Sequence, residues 1–340
     1  MAESVQTIEF DQFRLNGVEI EQINPLEDDT WDAIVTARED HTIFHRSAWA
    51  RVLVETYGHR PFYLRISVNG SEVALVPLME VSSCLTGRRG VSLPFSDFTG
   101  PLWTDARQAP LVYSALLALA SELKWKHLEI RGGNGPPPEA KPFETYESHH
   151  LDLSQGIESI SGKLDPSVRQ AIRKAERSGI QVLVEHGSEA MEAFYELHGR
   201  TRRRHGLPPQ SLHFFRSITR NLVQPGLGSI VLATLGSIPV AGAVFLHSAG
   251  RAIYKFGASD AEHWPSRPNQ AVMWAAIRAL VQSGCHELQF GRSSPADEGL
   301  IRFKRSWGST NYPLSYFRHG CRNDSWLAND QPPSESHPLI

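Results

Sequence analysis

Hydrophobic and polar positions change period repeatedly along the chain, and each change marks an element. A helix is predicted from about Leu26 to Arg38, with Trp31, Ile34 and Val35 on one face. After Ser47, a candidate cap, the apolar residues Trp49, Val52, Leu53 and Tyr57 recur at helical spacing and stop at Gly58. The stretch FYLRISVNGSEVALVPLMEV then alternates around Asn69-Gly70, the strongest hairpin signal in the chain. A strand through Val91–Leu93 precedes the aromatic loop PFSDFTGPLW. A helix from Gln108 to Leu123 leads to a strand at His127–Arg131, and GGNGPPPEAKP forms a loop.

The second half alternates helices and strands more regularly. A strand covers Thr145–Leu153. Asp165 caps a helix with Pro166 at its first position, and that helix ends at Gly179. IQVLVEH is a strand, a long helix runs from about Ser188 to HGLPP, and SLHFFRSITRNLV is another helix. A hairpin over 229–248 precedes the strand RAIYKFGAS, the helix PNQAVMWAAIRALVQSG and the strand HELQF. Ser294-Pro295-Ala296-Asp297 matches a capping box and predicts a helix start there. Phe303 and Trp307 are then one helical turn apart, with Lys304 beside them.

The order of elements repeats. Helix ALLALASELKW runs into HLEIRGG, and helix WAAIRALVQSG runs into HELQFGR, with His127 and His286 159 positions apart. The turn glycines Gly70 and Gly236 of the two hairpins are 166 positions apart. Two nearly equal offsets point to a duplicated α/β unit; coincidence between generic helix–strand junctions is the alternative. The expected organisation is an N-terminal domain over 1–153, a C-terminal domain over 154–311, and a flexible tail over 322–340.

Composition narrows the function classes. The chain has 340 residues, 41% of them hydrophobic and 21% charged, as a globular protein with a large core requires. A net charge of −3 argues against general attraction to DNA. The longest apolar run, Ile230–Leu246, is shorter than a membrane span and is broken at Gly236-Ser237 and Pro239. Cys84, Cys285 and Cys321 are isolated, and the first residues show no apolar signal region, so a cytoplasmic protein with reduced thiols is expected. No phosphate-binding GxxxxGK[ST] loop, GxGxxG, HExxH or GxSxG is present, and the fifteen histidines show no ligand spacing, so no metal is expected.

Several residues invite chemistry. A lysine flanked by large aromatics, as Lys304 is, can hold charge near a carbonyl oxygen that becomes negative; a surface lysine covering an aromatic gives the same pattern. Arg169, Arg173 and Arg177 share a helix face, and Arg202, Arg203 and Arg204 end another, which suits either a helix dipole or a phosphate clamp. Tyr254 lies on a strand, where packing is the ordinary role. Asp97 sits in an aromatic loop and can orient an amine or cap a turn. Asn269 and Gln270 open a helix whose N–H groups can take an anion.

The ordered set IFHRSAWARVLVETYGH, EVALVPLMEV with GRRGVSLPFSDFTGPLW, VRQAIRKAERSGIQV, FYELHGRTRRRHGLPP, GSIPVAGAVFL into AIYKFGAS, NQAVMWAAIRALVQSG into LQFGRS, and GLIRFKRSWGS resembles the FemAB-like (BioF2-like) branch of the GNAT acyltransferase superfamily, over roughly Ile43–Phe317. The resemblance implies two tandem GNAT-like domains of mixed α/β sheets, with the strand at about 312–320 returning to the first. It implies transfer of an acyl or aminoacyl group to an amine of a cell-envelope or exopolysaccharide-related acceptor, small or lipid-linked, without a permanently bound cofactor. The co-substrate is acyl-CoA or aminoacyl-tRNA; no coiled-coil insertion and no Gly-rich pyrophosphate loop point to either. The family's Phe-Lys pair falls on Phe303-Lys304, its Thr-x-x-Arg on Thr201 and Arg204, and its strand tyrosine on Tyr254. The expected mechanism places the donor carbonyl between the 229–248 hairpin and the strand Ile253–Gly257. Lys304 stabilises the oxyanion, Arg204 and Arg292 hold an acceptor anion, Trp307 packs behind, and Asp97 or Glu298 serves as base. A non-catalytic sugar- or peptide-precursor binder on a decayed acyltransferase fold and an RNA-binding module are the competing readings.

Overall fold

The computed structural model describes residues 12–83, 87–133 and 140–328. The chain divides into two compact units, one running to Glu144 and resuming at Ser315, the other Thr145–Leu314.

The first unit contains, in order, β1 (Gln12–Leu15), β2 (Val18–Ile23), α1 (Trp31–Thr36), α2 (Ser47–Tyr57), β3 (Arg60–Pro61), β4 (Tyr63–Val68), β5 (Ser71–Val76), β6 (Met79–Ser83), β7 (Gly87–Val91), β8 (Leu102–Trp103), α3 (Ala109–Glu122) and β9 (His127–Arg131). β1, β2, β4, β5 and β8 form one sheet in that order. The hairpin between β4 and β5 turns at Asn69 and Gly70, both with positive φ, as a two-residue turn matched to strand twist requires. Val18, Ile20, Leu64 and Ile66 face Val112, Leu116 and Leu119 of α3 in one core. α2 ends where Gly58 takes a left-handed conformation and donates to Val54.

α1 is shorter than the periodicity predicted. The Asn24 and Asp28 side chains accept from the Leu26 and Thr30 amides and fold the preceding residues into turns. The β1–β2 hairpin was not anticipated, and β7 ends at Val91, where a strand over Val91–Leu93 was expected. Cys84 and most of the glycine–proline loop lie outside the described residues.

The second unit contains β10 (Glu144–Asp152), α4 (Gly156–Lys163), α5 (Pro166–Arg177), β11 (Ile180–Glu185), α6 (Ser188–Arg204), α7 (Leu212–Ile218), β12 (Gly228–Leu235), β13 (Ile238–Ser248), β14 (Arg251–Ser259), α8 (Pro268–Gln282), β15 (Glu287–Ser293) and α9 (Glu298–Arg305). Its sheet runs β11-β12-β13-β14-β15-β10. Adjacent strands are antiparallel except β14 and β15, whose pairing is parallel because α8 crosses between them. α5 and α8 cover one face, with Val168, Ile172, Val272, Met273 and Ile277 in a shared core. α6 and α7 supply Phe194, Phe214 and Phe215, which pack with Phe256 of β14.

Two further expectations change. α9 begins at Glu298 with Asp297 as its cap, so the Ser294 capping box does not start it; the Asp297 carboxylate accepts from the Leu300 amide. The last described strands are β16 (Thr310–Gly320) and β17 (Ser325–Leu327). From Ser315 onward β16 belongs to the first unit and pairs with β9, Tyr316 opposite Arg131. β17 pairs with β16, so residues 325–327 form a strand where a flexible tail was expected. Residues 329–340 lie outside the described residues.

Candidate active site

The second unit's sheet opens on one side. β14 and β15 pair only over Arg251–Ile253 opposite Glu287–Gln289. β13 and β14 stay hydrogen-bonded from Ser248 and Arg251 to Ala241 and Ser259. The hairpin and β14 are joined by a continuous ladder, so the expected cleft does not part them within the sheet. A cavity of about 290 Å³ is lined by residues of both β13 and β14, together with α6, α8 and α9.

The register of β14 determines what faces this cavity. Phe245 pairs with Tyr254 and Val244 with Phe256, so Lys255 is an extra residue, a bulge. Across a bulge the alternation of faces shifts by one. Tyr254 and Phe256 consequently part company: Phe256 joins the α6–α7 aromatics, while Tyr254, Gly257 and Ser259 line the cavity. A Cβ on Gly257 would lie 1.6 Å from the Tyr254 hydroxyl, so the phenol fits only over a glycine. Burial pushes the Tyr254 pKa up to about 12, which keeps the phenol protonated.

Ser259, at the end of β14, is the most connected residue of the cavity wall. Its amide donates to Thr201 Oγ1 (3.1 Å), and its carbonyl accepts from Thr201 Oγ1 and Arg204 Nη1, each at 3.3 Å. Its hydroxyl accepts from Trp264 Nε1 (2.9 Å) and Asn269 Nδ2 (3.2 Å). The Arg204 guanidinium stacks 4.7 Å over the Trp264 ring. Thr201 and Arg204, one turn apart on α6, thus fasten the strand end. Sequence reasoning passed over Ser259, Trp264 and His205, which also lines the cavity. Only a place at a strand end before a helix start marked Ser259 and Trp264, and only a place after a helix end marked His205; many loops share those signals.

A second, larger space of about 550 Å³ adjoins the first. α5 contributes Lys174 and Arg177 to it, the start of α8 contributes Arg267 and Gln270, and α9 contributes Arg302. No acidic side chain is among the described lining residues, so four cations face one groove. Phe303 lines both spaces and forms the wall they share. Asn269 faces the cavity and Gln270 the groove, so the two predicted helix-start residues serve different chambers.

The other candidates lie elsewhere. Lys304 is buried, and its Nζ donates to the carbonyls of Gly291 (2.9 Å) and Arg292 (3.0 Å). It is not among the lining residues of either space. Trp307 is fully buried and meets Phe303 edge to face at 6.2 Å. Arg292 stacks 4.5 Å over Tyr146 and does not join Arg204 at the cavity. Asp97 belongs to the first unit, where its carbonyl accepts from Tyr316 Oη at 2.7 Å. Glu298 is exposed at the start of α9. Neither of these acids lines the cavity. Among the described residues no cluster of side chains is suited to a metal ion.

Residues 163–305 match the GNAT acetyltransferase domain family. No curated protein matches the chain in sequence. Among solved structures, FemX superposes with a TM-score of 0.68 at 15% identity, over 87% of this chain and 96% of that one. A tandem GNAT protein from the clavulanic acid biosynthesis pathway gives 0.56 at 12% identity, over 89% and 98%. L-PGS from Bacillus licheniformis gives 0.55 at 14% identity, over 85% and 91%. At these identities the likeness is one of fold. The chain has an α/β fold of two tandem GNAT-like parts.

Proposed function

We propose that this chain, which carries a GNAT acetyltransferase domain within a FemX-like, FemAB-type fold, is an N-acyltransferase that works by direct transfer from an acyl thioester of the CoA type to an amine. The observation that carries the proposal is the pair of chambers sharing Phe303. One is cationic and free of acidic lining, and suits a phosphate-bearing carrier. The other is small and floored by Gly242, Ala243, Gly257 and Ala258, and suits the acyl end. A donor laid across Phe303 places phosphates in the first and its carbonyl in the second.

In this reading the amine nitrogen attacks the thioester carbon, the carbon–nitrogen bond forms, and the carbon–sulfur bond breaks. The proton lost by nitrogen ends on the departing thiolate, giving amide and thiol. Holding both partners in the cavity supplies much of the rate. Lys304 contributes by fixing the end of β15 and by its positive charge, not by touching the reacting oxygen. The acceptor enters past Arg204 and Trp264, where an anionic group of an envelope-related amine meets the guanidinium; the likeness to FemX and L-PGS favours that class. In this reading the enzyme works in the cytoplasm. Among the described residues no helix is long and apolar enough to cross a membrane.

The test is transfer of labelled acetyl from acetyl-CoA to a panel of amines, with Lys174→Gln and Arg302→Gln beside the wild type. Transfer to at least one amine is expected. Each variant should raise the donor KM about ten- to a hundredfold, since a charge-assisted contact contributes about 1.5–3 kcal/mol. A wild-type protein that neither binds acetyl-CoA nor acylates any amine would overturn the proposal.

A further inference from the structure

We infer that the Ser259 hydroxyl and the Tyr254 phenol are the two hydrogen-bond donors that receive the acyl carbonyl oxygen of the donor substrate. This rests on the acyltransferase reading and names the groups that act at its reacting centre.

The polar groups of Ser259 are engaged all but one. Its N–H is taken by Thr201 Oγ1, and its C=O is taken by Thr201 Oγ1 and Arg204 Nη1. A serine hydroxyl has two lone pairs and one hydrogen. The indole of Trp264 can only donate, and with the Asn269 amide donating as well, both lone pairs are filled. What remains is the hydroxyl hydrogen, with no acceptor among the described residues. The two incoming bonds fix its direction, because the fourth position on a tetrahedral oxygen is the one left open. Ser259 is 5% exposed and lines the cavity, so that hydrogen has the cavity to point into.

Tyr254 supplies the second donor. The bulge at Lys255 brings it onto the face of Ser259, and the absence of a side chain at Gly257 lets its hydroxyl lie between them along the strand. Among the described residues this phenol has no hydrogen-bond partner. It stays protonated across the working range. Two protonated, fixed donors beside small apolar walls form a site for an oxygen that gains negative charge, where preorganised donors are most effective. A carboxylate in their place would repel that oxygen, and the described lining has no carboxylate.

The experiment uses two unreactive analogues of acetyl-CoA. One is a ketone, in which methylene replaces sulfur and the carbonyl is kept. The other is the ethyl thioether, in which the carbonyl is absent. Calorimetric binding of both is compared for the wild type, Ser259→Ala, Tyr254→Phe, Ser259→Thr and Trp264→Phe. The wild type should prefer the ketone at least tenfold. Ser259→Ala should abolish that preference and lower kcat about 100-fold with little change in donor KM. Tyr254→Phe should weaken the preference. Ser259→Thr, which keeps a hydroxyl, should retain it, and Trp264→Phe, which removes one of the two bonds that direct the hydroxyl, should weaken it. If the wild type binds both analogues equally, or if Ser259→Ala keeps both the preference and kcat, the inference falls while the acyltransferase reading stands. If the wild type binds neither, that reading falls and the inference with it.

Discussion

Lys304 shows how much a single residue's surroundings alter its reading. The residue is 2% exposed, and its ammonium is bonded to two carbonyls at a point where Gly291 takes a positive φ. Gly291 and Phe290 together oppose His149, so this is also a bulge, and it turns those carbonyls toward α9. Lys304→Met keeps the apolar stem but leaves two buried acceptors without their cation. The expected outcome is a loss of about 2–5 kcal/mol in unfolding free energy, followed by denaturant titration, together with a fall in kcat. A fall in kcat with unchanged stability would instead indicate direct contact with the substrate. A desolvated Lys304 was one of two readings legible from its aromatic neighbours Phe303 and Trp307. Its partners were not, because they lie thirteen and twelve positions back on another element. Ser259 was invisible for the same reason: all its partners come from α6, the loop before α8, or α8 itself.

At the level of elements, β14 was readable in extent but not in phase. RAIYKFGAS names the strand from end to end, yet the face each side chain takes depends on a bulge set by the pairing with β13. Gly257 depends on that phase. Gly257→Ala should displace the Tyr254 ring, lower kcat about 100-fold, and change unfolding stability by less than about 3 kcal/mol, readable by activity and thermal melts together. Other elements were legible where capping and periodicity agreed, as at Asp165-Pro166, whose cap bond to Ser167 is present at 2.7 Å. Where two caps competed, as at Ser294 and Asp297, the sequence pattern favoured the wrong one. Asp297 wins because its carboxylate reaches the Leu300 amide. The β1–β2 hairpin escaped notice because its first strand is largely exposed and carries little apolar alternation.

For the molecule as a whole, the repeat of helix–strand order was visible in two sequence offsets, whereas the pairing of β17 with β16 was not, since a strand of three residues is too short to leave a periodic trace. Buried histidines set the acid limit. His45 Nε2 lies 3.1 Å from the Gly100 carbonyl, and its Nδ1 accepts from the Thr42 amide, so the neutral Nε2–H form is the one held. Burial lowers its pKa from 6.5 to about 4. A depressed value means the stabilisation is complete above 6.5 and is lost as pH falls through about 4. For this fully buried ring that corresponds to about 3 kcal/mol. Stability measured from pH 7 to 4 should decline, and His45→Gln should flatten the decline. The shared wall at Phe303 has a consequence for steady-state kinetics. With the carrier arm on one side of the ring and the acyl group on the other, the thiol product and a fresh donor contend for the same groove. Free thiol carrier should therefore inhibit competitively against the donor and non-competitively against the amine, and no acyl group should exchange in the amine's absence.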